Sequence, residues 1–208
     1  MPTQSGEIVA TENAGEQGTA EQFVEPQSLT DVLLEERLLP SGILEIGKRD
    51  AAHSLLLITE HHCGYCRDFL TEHMPSIEED YLKKGMMRLS VGILPLQKYG
   101  GSAEAAAAML CAGKQSKGWP MHLLLSSRTG MDRSSLLSYA RELEIDDAML
   151  GRCLADTETQ SSLDIQHAWL RNLGVDEVPT YFIDGKRYTG LPYPADLKAQ
   201  IEEVMVDK

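Results

Sequence analysis

The 208-residue chain reads as an α/β protein with a helical insertion between a strand–helix–strand half and a hairpin–helix half. Three observations carry that expectation. Ser54–Thr59 is an apolar run too short for a helix; it leads into a helical stretch over 64–84 and then an alternating strand, Met87–Leu96, the pattern of a parallel βαβ unit. A long helical region follows, opened by the Ala-rich Ala103–Ala112, and Ala is the strongest helix former. Asp184-Gly185 then joins the short strands Thr180–Ile183 and Lys186–Thr189 as a two-residue hairpin turn.

Residues 1–27 hold Glu7, Glu12, Glu16, Glu21 and Glu25, no Lys or Arg, and few large apolar side chains. Such a segment cannot bury enough surface to offset its ordering entropy, so it is expected to be disordered, with residues 28–208 as the folded domain. Ser28 suits an N-cap with Asp31 three residues on, and Leu29, Val32 and Leu33, extended by Leu34, Leu38 and Leu39, predict a short helix that Pro40 ends. Ser41–Gly47 predicts a first strand through Ile43, Leu44 and Ile46. Pro75 should kink the helix over 64–84. The helical insert spans approximately 102–173 and continues through Met121–Leu125, Ser134–Leu143, Asp146–Leu154 and Ser162–Leu173, with Gly174 as a C-cap. A last helix runs from Pro194 to about Val206. No internal repeat is visible.

At 42% hydrophobic the chain can bury a core without disulfides. A net charge of −13 repels phosphate backbones and anionic lipid, which argues against nucleic-acid and membrane-surface partners. The longest apolar run, Ala105–Ala112, is too short to span a bilayer, so no membrane insertion is expected. The first residues show neither the basic start nor the apolar stretch of an export signal.

Cys63-Gly64-Tyr65-Cys66 is the centre of the functional reading. It sits where the strand Ser54–Thr59 passes into a helix. A helix start offers unpaired amides and the positive end of a dipole, and both favour thiolate over thiol. Cys63 should therefore be the attacking nucleophile. Cys66, one turn along on the same face, can attack the mixed disulfide and release the substrate. No cofactor beyond this redox-active pair is required. His61 and His62 precede the nucleophile; an imidazolium there would lower the thiol pKa further, and the alternative is that they simply face solvent. Glu60 is open in the same way. A metal site would need Cys63 and Cys66 with nitrogen from His53, His61 or His62, because Cys111 and Cys153 stand alone. Pro179 enters a strand without an N–H to donate. That is compatible with a plain strand-entry proline, and equally with one set against the reactive cysteine, leaving the backbone before it free to pair with an extended substrate.

The CxxC, Val178-Pro179-Thr180, the Asp184-Gly185 hairpin and Gly190 together resemble the bacterial DsbA/DsbC/DsbG group of thiol–disulfide oxidoreductases over residues 42–206. The resemblance implies a thioredoxin fold with a helical insertion between its βαβ and ββα halves. It also implies Cys63 as nucleophile, Cys66 as resolving cysteine and Pro179 in cis beside them, with Gly64, Tyr65 and Val178 contacting substrate. Gly64-Tyr65 between the cysteines, Leu57 six residues before Cys63 and Glu60 three before it are similar to the isomerases; Val178 is similar to the oxidases, so the redox direction stays open. Cys111 and Cys153 resemble that group's second, structural cystine, the alternative being two buried free thiols. The resemblance further implies a periplasmic or secreted setting, cysteine-containing protein substrates, and a redox partner protein that resets the pair.

Three functions follow as expectations: disulfide exchange with protein thiols, a copper or zinc carrier using Cys63, Cys66 and a histidine, and a redox-silent binding or chaperone module.

Overall fold

A computed structural model describes residues 34–206. The acidic segment 1–27 and the helix start expected at Ser28 lie outside the described residues. Leu34, Leu38 and Leu39 do not extend a helix: Glu36–Leu38 form a strand, β1, antiparallel to β2 (Leu44–Ile46) in the register Arg37↔Glu45. The i, i+4 spacing of Leu34 and Leu38 suits either state, and a three-residue strand is too short to show its own period.

β3 (His53–Thr59) and β4 (Met87–Ile93) pair in parallel, with Leu57 opposite Val91. β5 (Thr180–Ile183) runs antiparallel to β3, and β6 (Lys186–Thr189) closes the sheet in the order β1-β2-β4-β3-β5-β6. Pleating sends Leu55 and Leu57 to one face, where they join Phe69, Tyr181, Leu197 and Ile201 in the main core. Leu56 and Ile58 go to the other, against Leu94, Leu170 and Val175. β3 is thus covered on both sides, which is why its sequence reads as a continuous apolar run.

The expected helix over 64–84 is three pieces. α1 (Gly64–Glu72) stops at His73, α2 (Met74–Ile77) carries Pro75 in its first turn, and a π-helical turn covers Glu78–Leu82. Pro75 therefore starts a segment instead of kinking one. The insert comprises α3 (Ser102–Gly113), α4 (Gly118–Ser127), α5 (Arg133–Glu142), α6 (Asp147–Leu154) and α7 (Thr157–Asn172). Asp132, Asp146 and Asp156 cap α5, α6 and α7 through their side chains. Gly174 follows α7 at φ +68°, as a C-cap glycine should. α8 is Pro194–Val206. No helix among the described residues is long and apolar enough to cross a membrane.

Candidate active site

Buried β3 delivers the chain to the start of α1, and Cys63 is the N-cap there, with φ −74° and ψ 119°. Its Sγ accepts from the Cys66 amide at 3.4 Å. Cys63 and Cys66 are both free and buried. The hydrogen bond from the Cys66 thiol, joined by the amides of Cys66 and Tyr65, outweighs burial and the Glu60 carboxylate, and lowers the Cys63 thiol to about 6. The same shared hydrogen bond, together with burial, raises the Cys66 thiol. One sulfur is thus set to be a thiolate and the other to keep its proton.

The Val178–Pro179 peptide is cis, and the Val178 carbonyl oxygen lies 3.7 Å from Cys63 Sγ. Pro179 has no amide hydrogen to place at that point. Around the sulfur a groove of about 760 Å³ is walled by Tyr65 and Asp68 of α1, by residues 96–99 and by residues 176–179. Gly64, Tyr65 and Val178 all line it, so the expected substrate-contact residues converge with Cys63 and Pro179. Tyr65 is 67% exposed, and a Cβ added at Gly64 would meet nothing within 4 Å, so the rim beside Cys63 is open.

His61 behaves otherwise than expected. His61 neither faces solvent nor offers a charge to Cys63. It is buried, with Nε2 3.0 Å from His122 Nδ1, and Trp119 stacks on His122 at 5.4 Å. Burial holds the His61 imidazole well below its usual range and takes His122 down to about 3. His62 turns to Glu60, its Nδ1 3.0 Å from the carboxylate, and stacks on Tyr99. His53 stands at the far end of β3 and pairs with Asp184 at 2.8 Å. The nitrogen donors that a metal carrier needs are therefore committed elsewhere. Among the described residues no group of three or more His, Cys, Asp or Glu side chains is placed to hold a metal.

Sequence spacing did not reach His122, Ser102 or Tyr99. Each meets the site through the fold, from α4, α3 and the loop after β4. The loop alone gave a hint: the alternation read as strand to Leu96 ends at Ile93, and residues 96–99 become the groove wall. Cys111 of α3 and Cys153 of α6 are bridged, with the Thr159 hydroxyl 3.3 Å from the Cys153 sulfur.

A family profile described as Thioredoxin matches residues 40–203. Among solved structures, the chain is similar to oxidised BdbD of Bacillus subtilis, with TM-score 0.70 and 20% identity over 76% of this chain and 90% of that one. A thioredoxin-like oxidoreductase of Silicibacter pomeroyi gives TM-score 0.67 and 22% identity over 77% and 91%. DsbA of Chlamydia trachomatis gives 0.68 and 18% over 79% and 92%. These likenesses are of fold. A curated relative, the Na(+)/H(+) antiporter NhaA 3 of Salinispora tropica, is 30% identical over 151 residues, covering 71% of this chain and 22% of the relative. NhaA 1 of Salinispora arenicola matches similarly, so the chain spans 22% of the length of each of these two relatives.

Proposed function

The chain belongs to the thioredoxin family, whose profile spans residues 40–203, and on that premise we propose that it exchanges disulfides with protein thiols through Cys63 and Cys66. One observation carries the reading: two cysteines share a hydrogen bond at a helix start, one thiol lowered and the other raised.

The chemistry balances as two exchanges. The Cys63 thiolate attacks one sulfur of a substrate disulfide; that S–S bond breaks, a Cys63–substrate disulfide forms, and the departing substrate sulfur takes up a proton. Cys66 then loses its proton and attacks Cys63 Sγ. The substrate leaves as a dithiol and the Cys63–Cys66 disulfide closes. Run backwards, the same steps oxidise a substrate dithiol. A stabilised Cys63 thiolate favours the reduced pair, which supports the oxidising direction. The couple is accordingly expected to be more oxidising than thioredoxin's roughly −270 mV, as equilibration with glutathione would measure. A value at or below that figure would reverse the direction assigned.

Cysteine-containing proteins are the substrates in this reading, and a redox partner protein resets the pair. The Cys111–Cys153 bridge supports an oxidising, extracytoplasmic setting. Transport is not carried over from the antiporter relatives, of which this chain matches only the smaller part.

The test is a pair of variants. Cys63→Ser should abolish exchange, whereas Cys66→Ser should accumulate mixed disulfides with substrate, visible on non-reducing gels. Identical behaviour of the two, or trapping by the Cys63→Ser protein, would overturn the roles.

A further inference from the structure

The Glu60 side chain has no exposed surface, although it stands only three residues before Cys63, whose amide donates to the Glu60 carbonyl at 3.2 Å. Three donors hold its carboxylate: the His62 amide at 2.7 Å, His62 Nδ1 at 3.0 Å and the Ser102 hydroxyl at 2.7 Å. A buried carboxylate keeps its charge only where donors or a cation replace water. The basic side chain paired with it is His62. An ionised carboxylate can only accept, so in this contact His62 Nδ1 is the donor. The pair is also tied to the groove. The Ser102 hydroxyl accepts from the Leu96 amide at 3.1 Å, and the His62 ring stacks on Tyr99 at 5.3 Å with the planes 21° apart.

We infer that His62, seated on Glu60, is a positioning residue that sets the charge beside Cys63. Protonated His62 cancels the Glu60 carboxylate and lets the Cys63 thiolate form. Neutral His62 leaves that negative charge standing against the sulfur. The functional meaning of the inference rests on Cys63 being the exchange nucleophile.

The other groups facing this corner do not do the same work. His61, on the same turn, is buried against His122 of α4, and burial keeps both neutral. On the groove wall Lys98 places its ammonium over the Tyr99 ring at 4.9 Å. Asp68 and Tyr65 of α1, and Asp176 and Glu177 before the cis proline, reach solvent, which screens the carboxylates. Glu60 has no such screening.

The test uses the full reduced chain and follows the rate of Cys63 alkylation by iodoacetamide against pH, read by mass spectrometry. His62→Gln keeps an N–H toward Glu60 but cannot be protonated. It should move the Cys63 midpoint up by about one pH unit, roughly a tenfold loss of thiolate below the midpoint. Glu60→Gln removes the negative charge and should move the midpoint down by a similar amount. Opposite shifts are what loss of structure alone would not produce. Shifts of the same sign, or an unmoved midpoint in either variant, would overturn the inference. Should His62→Gln fail to fold, His62→Lys, which carries a permanent cation, decides it: a midpoint at or below wild type supports the inference and a raised one overturns it. Trapping by the Cys66→Ser protein reads the exchange function separately, so absent trapping with the opposite shifts intact would defeat that function and leave the charge pair standing.

Discussion

At the scale of single residues, two sulfurs three positions apart take opposite acidities, first from the hydrogen bond they share and then from their places at the helix start. Cys63 faces the free amides of α1 and Cys66 lies one turn inside it. Alkylation of Cys63 should therefore titrate with a midpoint near 6, far below an ordinary thiol, and be nearly complete as thiolate at pH 8. A midpoint near that of free cysteine would mean that neither the Cys66 hydrogen bond nor the helix start stabilises the thiolate. This much was legible in the sequence, because a CxxC at a strand–helix junction fixes its own surroundings. The histidines were not legible. His61 finds its partner in His122, on a helix that the linear pattern could not aim at it. Their pH behaviour follows from that packing. Both imidazoles are held below the unfolded value of about 6.5, so the unfolded chain binds more protons. Stability is full above that pH and falls as pH drops toward about 3, the His122 value, by at most about 1.4 kcal/mol per pH unit for each histidine. Urea unfolding of wild type and His122→Phe at pH 7 and pH 4.5 measures this. The variant should lose less stability on acidification, and an equal loss would show that the buried pair is not its source.

At the scale of elements, strongly periodic segments were legible and short or broken ones were not. The hairpin strands Thr180–Ile183 and Lys186–Thr189 match the expectation to the residue, because Asp184-Gly185 fixes the turn and with it the register. The helix over 64–84 divides at His73, where φ widens to −110° just before Pro75 starts a new turn. β1 carries no strand signal of its own, because its partner β2 makes it a strand. The helical insert is fastened internally by Cys111–Cys153, a link across 42 residues of chain. In the chain-entropy account such a loop is worth up to about 4 kcal/mol. Cys111 is fully buried, whereas Cys63 lines an open groove. Replacing both insert cysteines by Ala should lower the melting temperature by several degrees and leave exchange through Cys63 intact at low temperature. In graded reduction of the oxidised protein, mass mapping of alkylated thiols should find Cys63 labelled before Cys153. The reverse order, or lost exchange in a folded double variant, would assign the bridge a redox role.

At the scale of the whole molecule, the charge of −13 reaches the site itself. Asp68, Asp176 and Glu177 oppose Lys98 around the groove. Cationic peptides should be drawn in faster than anionic ones, with a rate advantage that shrinks as salt rises. Stopped-flow exchange with matched basic and acidic cysteine peptides at low and high ionic strength reads it, and equal rates at low salt would show that the acidic surface does not steer. The two ends of the sheet carry a different consequence. β1 offers only three residues, and Arg37 caps its margin by donating to the Gly47 carbonyl and to Glu45. β6 offers four, with Lys186 and Arg187 exposed along it. Under the proposed exchange with protein thiols, extended client backbone comes to Cys63, and a long bare margin would let such a client zip onto the sheet and seed a deposit. Among the described residues both margins are short, and on β6 Lys186 and Arg187 stand exposed, so they offer such a client little to pair with.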